Sequence, residues 1–109
     1  MASEVLKLAT FRGDAASVQA LLTVGAGTTV TVLSVSICET AGAAETFDLY
    51  IDDDGGGTDY EIYSDQALGA NETFVHNDRI VIEGTDHLCA STASSANVDI
   101  IVTYLDQTL

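Results

Sequence analysis

The segment between Asp52 and Asp59 carries the residue types best suited to holding a metal ion. It reads Asp-Asp-Asp-Gly-Gly-Gly-Thr-Asp, and carboxylate oxygens are the ligands that Ca²⁺ prefers. The spacing departs from an EF-hand loop, because Gly56 stands at the fifth position and Tyr63 at the twelfth. A solvated hairpin tip, with glycines at positive φ angles, explains the same residues without a metal. We therefore expect a turn and no cofactor, with a Ca²⁺ site as the alternative, whose ligands would be Asp52, Asp53, Asp54 and Asp59.

Catalytic chemistry has little support in the sequence. The two histidines, His76 and His87, lie in separate turn regions, and no serine occupies a G-x-S-x-G turn. With 17 acidic residues in a chain of 109, some carboxylates must lie close together, so a pair of acids is no sign of glycoside hydrolysis. We predict that the protein is not an enzyme.

The two cysteines, Cys38 and Cys89, show neither a CxxC motif nor a Cys/His spacing suited to a metal. Both fall in apolar, strand-like stretches, where cysteine behaves as a small hydrophobic residue. The first residues lack the positive and apolar blocks of a secretory signal. We expect two free thiols in a reducing compartment, with a disulfide between them as the alternative.

The charge is strongly negative and unevenly distributed. Three Lys and Arg against 17 Asp and Glu give a net charge of −14. Because the basic residues are few and scattered (Lys7, Arg12 and Arg79), the sequence does not predict nucleic-acid binding. No apolar run is long enough for a transmembrane helix. The acidic body repels its own copies, so the nearly neutral N-terminal segment is better suited to contact another acidic surface.

Hydrophobic patterning predicts an all-β fold in one domain. Phe47, Leu49 and Ile51 alternate with polar residues, as in a half-buried strand. The segment Thr28–Cys38 is rich in β-branched residues, and its alternation slips after Val32, which indicates a β-bulge. Seven or eight short strands separated by turn signals are typical of an antiparallel β-sandwich, jelly-roll or immunoglobulin-like. We expect this sandwich over residues 17–109 and an extended arm over residues 1–16; residues 14–22 have a short helix as the alternative.

Tyr50 and Tyr63 fall on the polar faces of their predicted strands, which predicts that one or both are exposed. A carbohydrate- or Ca²⁺-dependent binding module is an alternative function, with Tyr60, Tyr63 and the Asp52–Asp59 loop as its site.

Several segments, in their order along the chain, resemble a family of small virion structural proteins of tailed bacteriophages. Val24-Gly25-Ala26-Gly27-Thr28-Thr29 is similar to the family's TVPAGTT turn, with glycine in place of proline. Val35–Thr40 and Ala44–Tyr50 resemble its "VCN" and "TFRL" strands. Ala70–Phe74 and Cys89–Val98 resemble its "AANDTF" and "YASTANLSF" segments. The resemblance covers about residues 21–105.

The resemblance implies a non-enzymatic β-sandwich in a virion, assembled in the host cytoplasm. Our hypothesis is a capsid decoration, or cement, protein that binds the major capsid protein on the outer head surface as a homotrimer. A small tail, baseplate or fibre-associated protein, with tail proteins as partners, is the alternative. Neither role involves nucleic acid or a membrane. We expect docking by the arm, through Val5, Leu6, Lys7, Leu8, Phe11 and Arg12.

Overall fold

The computed structural model describes residues 3–13, 19–92 and 98–108. These residues form nine β-strands: β1 (Ser3–Gly13), β2 (Gln19–Thr23), β3 (Thr28–Glu39), β4 (Glu45–Asp52), β5 (Asp59–Leu68), β6 (Thr73–His76), β7 (Ile80–Glu83), β8 (His87–Thr92) and β9 (Val98–Thr108). A single 3₁₀ turn, Asp53–Gly55, joins β4 to β5. Within this described part, no helix has the length and apolar character needed to cross a membrane.

The strands pair antiparallel from the ends of the chain inward. β1 pairs with β9, β2 with β8, β3 with both β6 and β7, and β4 with β5. Sheet A has the order β1-β9-β3-β6, with β7 also on β3, and sheet B has the order β2-β8-β4-β5. This nested pairing, in which β6 and β7 share one strand position, is that of a jelly roll. The predicted all-β sandwich is confirmed, and the topology is the jelly roll rather than the immunoglobulin-like one.

The core lies between the two sheets and is built by alternation along the strands. Val98, Ile100 and Val102 of β9 point inward from sheet A, and Phe47 and Leu49 of β4 point inward from sheet B. Because β-branched and aromatic side chains fit a pleated surface, these segments form strands whose inner rows interlock.

The predicted irregularity in β3 is confirmed. The register of β3 against β9 shifts between Val32 and Ser34, which is a β-bulge. Because of this bulge, Val30 and Val32 before it and Val35 and Ile37 after it all reach the core. At the same point β3 changes its other neighbour from β7 to β6.

The segment expected to be an arm is a strand of the sandwich. β1 pairs with β9 along its whole length, from Ser3 opposite Thr108 to Gly13 opposite Val98. It is therefore the first strand of the jelly roll, and a boundary at residue 16 does not separate it from sheet A. The physical reason is that its partner strand is the most distant in sequence, so local patterning carries no trace of the pairing. Of the possible helix at 14–22, residues 19–22 belong to β2 and residues 14–18 lie outside the described residues.

Candidate interaction surface

The outer face of sheet A is apolar and uncharged over three rows of side chains. Cross-strand register places residues of one row on the same face of the sheet. The rows are Leu6–Leu105–Thr31–Val81, Leu8–Thr103–Ser34 and Thr10–Ile101–Ser36–Val75. We call these eleven residues the apolar face. Charged residues occur only beyond it, with Glu4 and Glu83 in the next row at one end and Asp99 at the other.

The apolar face collects most of the hydrophobic side chains that the fold leaves in solvent. Of the seven exposed large hydrophobic side chains in the described residues, five belong to it: Leu6, Leu8, Val75, Val81 and Ile101. Single exposed hydrophobic residues are ordinary, but a contiguous exposed set marks a surface that contacts a partner.

The outer face of sheet B is acidic. Asp48 and Asp52 alternate with inward-facing Leu49 and Ile51 on β4, and Asp59 is the cross-strand partner of Asp52. The strands of sheet B contain neither lysine nor arginine. The pKa of Glu61, opposite Tyr50 in this face, is raised by partial burial and by the charges of Asp48, Asp59 and Asp65. The two outer faces of the sandwich therefore differ sharply in charge.

Tyr50 and Cys89 lie within the acidic face but are buried. They are cross-strand partners on β4 and β8. Burial, followed by the charges of neighbouring groups such as Asp52 and Asp59, raises the pKa of Tyr50 to about 12 and that of Cys89 to about 11. Of the two tyrosines of which one or both were expected to be exposed, Tyr50 is therefore not exposed. Both Tyr50 and Cys89 stay uncharged at neutral pH.

Tyr63 also differs from its predicted position. Two register shifts in the β4–β5 pairing, between Phe47 and Tyr50, move it off the polar face and against the core. Its ring packs edge-on against Phe74, with ring centroids 4.8 Å apart. Its hydroxyl lies 2.8 Å from Nδ1 of His76. Tyr60 remains exposed, so the structure does not bring Tyr60 and Tyr63 together as an open aromatic platform.

His76, expected in a turn, is buried at 7% exposure on the inner face of sheet A. The hydroxyl of Tyr63 lies at its Nδ1, and the Tyr63 ring packs edge-on against the imidazole with ring centroids 5.5 Å apart. Its Nε2 is buried without a hydrogen-bond partner among the described residues. This environment gives His76 a packing role.

The predicted docking residues divide between the two sides of β1. Leu6 and Leu8 are exposed on the apolar face. Phe11 points the other way and packs partly against the core, and Lys7 pairs with Asp106 at 3.1 Å. Val5 is exposed, and Arg12 lies opposite Asp99 in the strand register. Docking through this set stays a prediction, and Leu6 and Leu8 are its members on the apolar face.

The acidic loop forms the predicted hairpin tip, but it gathers a different set of carboxylates. Carboxylate oxygens of Asp53, Asp54 and Asp86 all lie within 4.8 Å of one another. Asp86 comes from the β7–β8 turn and accepts a hydrogen bond from the backbone N–H of Asp54 at 3.1 Å. A hydrogen bond with Asp86 and the charge of Asp54 raise the pKa of Asp53. The oxygen of Asp52 accepts the N–H of Gly56 at 2.9 Å.

Ca²⁺ binding at this loop stays a prediction. The predicted ligand Asp59 instead lies opposite Asp52 in the strand register, and Asp86 was not predicted because it is distant in sequence. Calorimetric titration of the protein with Ca²⁺ tests the prediction directly.

Both cysteines are free thiols and lie in different sheets. Cys38 is on β3 of sheet A and is partly exposed, whereas Cys89 is buried on β8 of sheet B.

Comparison with known proteins gives similarity in structure alone. The sequence matches no protein-family model, and no curated protein sequence is similar to it. A chain from the acidic stable capsid structure of Helicobacter pylori bacteriophage KHP30 is similar with a TM-score of 0.64 and 14% identity, over 96% of this chain and 93% of that one. A chain from Bacillus endospore appendages, described as disulfide-linked pili, gives a TM-score of 0.56 and 12% identity, covering 99% and 88%.

A larger protein contains the same fold as one part. The VP2 subviral particle of infectious bursal disease virus gives a TM-score of 0.54 and 14% identity, covering 98% of this chain but 37% of that one. At such identities these similarities establish the fold, a β-sandwich shared with viral capsid proteins.

Proposed function

We propose that this protein is a non-enzymatic structural component of a bacteriophage virion, and that it decorates the outside of the head by binding the major capsid protein. The observation that carries the proposal is the contrast between the apolar face of sheet A and the acidic face of sheet B. A protein with this contrast has one side suited to dense packing and another suited to solvent.

The apolar face is the side that binds the shell. Leu6, Leu8 and Val81 project from three strands of one continuous sheet, so a partner contacts a broad, regular surface. Removing these side chains from water supplies about 25 cal/mol for each Å² of apolar surface buried. The three rows contain no charged residue. Docking through them therefore avoids the desolvation of charged side chains, which usually opposes the packing of an acidic protein against a partner.

The acidic face is the side that remains in solvent. Asp48, Asp52 and Glu61 project from it without a lysine or arginine in the same sheet. Like charges on neighbouring decorated sites repel one another and keep particles apart, which favours solubility of the assembled shell.

The structural comparisons support this proposal at the level of fold. One similar chain, of nearly this length, comes from a phage capsid, and another similar protein forms a subviral particle. The segment resemblance to small phage virion proteins supports the same role independently of the fold.

Two variants that each add one charge at an exposed position, one on the apolar face and one on β5 of sheet B, test the orientation. Val81 on the apolar face and Tyr60 on sheet B are exposed to nearly the same extent, 61% and 59%. We expect Val81→Glu to lose binding to purified undecorated heads, because it buries a carboxylate in the contact, and Tyr60→Glu to bind like the wild type. Co-sedimentation with heads measures both. Equal binding by the two variants would show that the apolar face is not the docking side.

The copy number of the chain in purified particles tests the location. Densitometry against the major capsid protein should give a simple fraction of that protein's abundance. A few copies per particle would move the protein to the tail, and absence from particles would reject the virion role. Deleting residues 1–12 is unsuitable as a test, because it removes β1 and exposes the edge of β9.

A further inference from the structure

The four edges of the two sheets are not equally protected against pairing with another strand. β2 is five residues long with a register shift, and β6 and β7 have four residues each. β5 is longer, but it carries Asp59, Glu61 and Asp65, and Asp65 has a positive φ of 50°. Short length, bulges and inserted charge are the devices that prevent edge-to-edge association.

β1 has neither of the first two devices, and its three charged residues, Glu4, Lys7 and Arg12, are of mixed sign. It has eleven residues, its register with β9 shows no shift, and the chain contains no proline. Its one strand neighbour among the described residues is β9. Exposed Val5, Leu6 and Leu8 lie on it, and Lys7 is already paired with Asp106 of the same chain. A long edge with a regular register and exposed apolar side chains is a template for a further strand.

We propose that β1 pairs antiparallel with β1 of a second copy of this chain, about a twofold axis that passes at Leu8. The contact adds an association between copies to the proposed decoration role and does not depend on that role. It gives a dimer, whereas the sequence-based hypothesis was a trimer.

The register follows from length and charge. With Leu8 opposite Leu8 of the second copy, Ser3 faces Gly13 and Glu4 faces Arg12, so the full strand is paired and residues of opposite charge face each other. Moving the axis to Lys7 places Lys7 opposite itself, and like charges directly opposite each other destabilise a strand pair. The proposed register is therefore the one that both covers β1 completely and matches its charges.

Electrostatics also favour a second copy at this edge. Each chain carries a net charge of −14, so two copies associate most readily through the part with the least negative charge. β1 contains one acid, Glu4, and two basic residues, Lys7 and Arg12. Because Leu6 and Leu8 lie on the apolar face, pairing along β1 joins the apolar faces of both copies into one surface.

Sedimentation velocity of the full chain tests the dimer, with matched charge variants. We expect the wild type to reach twice the chain mass of 11.4 kDa, with a larger dimer fraction as salt shortens the Debye length from about 30 Å at 0.01 M to about 8 Å at 0.15 M. Leu8→Glu places two carboxylates on the axis and should raise the dissociation constant at least about tenfold, since like charges face each other there. Val81→Glu, which is on the same face but at the far side of sheet A, should leave the dimer intact.

Engineered cysteines test the register. Facing residues in an antiparallel pair have Cα atoms about 4.5–5.5 Å apart, within the range that a disulfide spans. Leu8→Cys should therefore form a covalent dimer under mild oxidation. Leu6→Cys should not, because its copies are separated by four residues along the strand, or about 13 Å. The wild type, with Cys38 and Cys89, is the background control.

Three results would overturn the proposal: a wild type that stays monomeric in salt, a trimer, or equal cross-linking of the Leu6 and Leu8 variants. Each is distinct from a failure of the decoration role, which is measured by binding to heads. Val81→Glu should lose head binding while it keeps the dimer, so the two proposals fail separately.

Discussion

The carboxylate of Glu39 accepts a hydrogen bond from the backbone N–H of Asn71 at 3.1 Å, and so connects two turns that are distant in sequence. The same carboxylate accepts the N–H groups of Ala41, Gly42 and Ala43 in the β3–β4 turn. Glu39 is 1% exposed, and Asn71 lies in the β5–β6 turn with a positive φ of 58°. A buried carboxylate with four donors replaces the hydration that it loses.

Glu39→Gln should lower the melting temperature by several degrees at neutral pH, because the amide has one acceptor oxygen and its NH₂ group faces backbone donors. Hydrogen bonding, led by that of Asn71, holds the pKa of Glu39 below its usual 4.5. A lowered folded-state pKa contributes stability that is present above 4.5 and is lost as pH falls through the folded value. The difference in melting temperature between the wild type and Glu39→Gln should therefore become smaller in acid.

Thermal denaturation across acidic and neutral pH measures this effect. Glu83→Gln, at an exposed position on β7, is the control and should melt like the wild type. If the difference in melting temperature between the wild type and Glu39→Gln stays constant in acid, the result contradicts an ionised Glu39 in the folded protein.

Substitutions of Tyr63 and His76 should have strongly non-additive effects on the free energy of unfolding. Tyr63→Phe leaves both ring nitrogens of buried His76 without a hydrogen-bond partner in the part of the chain that the structure describes, which costs about 1–3 kcal/mol. Replacing both residues, as Tyr63→Phe with His76→Leu, removes both polar groups and should recover much of that loss. Urea denaturation of the single and double variants measures the coupling energy. Additive losses would mean that the 2.8 Å contact does not stabilise the fold.

Repulsion among the acidic side chains of sheet B should make folding stability depend on pH in the opposite sense to the contribution of Glu39. The pKa of Glu61 is raised above its usual 4.5 by burial and by nearby acids. The folded state then binds more protons than the unfolded state, so stability falls as pH rises from 4.5 through the folded-state value. Glu61→Gln should therefore melt higher than the wild type at neutral pH and low salt, and equally below pH 4.5.

Salt and a charge-matched variant separate this effect from general charge reduction. High salt should shrink the advantage of Glu61→Gln, because partly exposed charges are screened. Asp78→Asn, in the turn between β6 and β7, removes one charge elsewhere and should give a smaller gain. Equal increases in melting temperature for Glu61→Gln and Asp78→Asn would mean that the lower net charge, and not relief of repulsion on the acidic face, stabilises the protein.

The sequence predicted those features that leave a local periodic pattern. The slip after Val32 predicted the bulge in β3. Alternation of Phe47 and Leu49 with polar residues predicted their inward direction. In each case the cause lies within a few residues of its effect.

Features that depend on how strands pair escaped prediction. β1 looked like an arm because its partner, β9, is at the other end of the jelly roll. Tyr63 was expected on a polar face, but register shifts in the β4–β5 pair reversed its direction. The apolar face was not recognised, because its rows combine residues from five strands, and each strand alone contributes few exposed hydrophobic side chains.

The nested pairing of the jelly roll also has a consequence for folding. β4 and β5 are joined by a short hairpin, whereas β1 and β9 close a loop of almost the whole chain, and long loops cost more entropy to close. Pairs should therefore form from the hairpin outward, with β1 last. We expect amide hydrogens of β1 to exchange fastest among the strands of sheet A in the monomer. The strand that completes the fold is then also the one most able to open and exchange between copies.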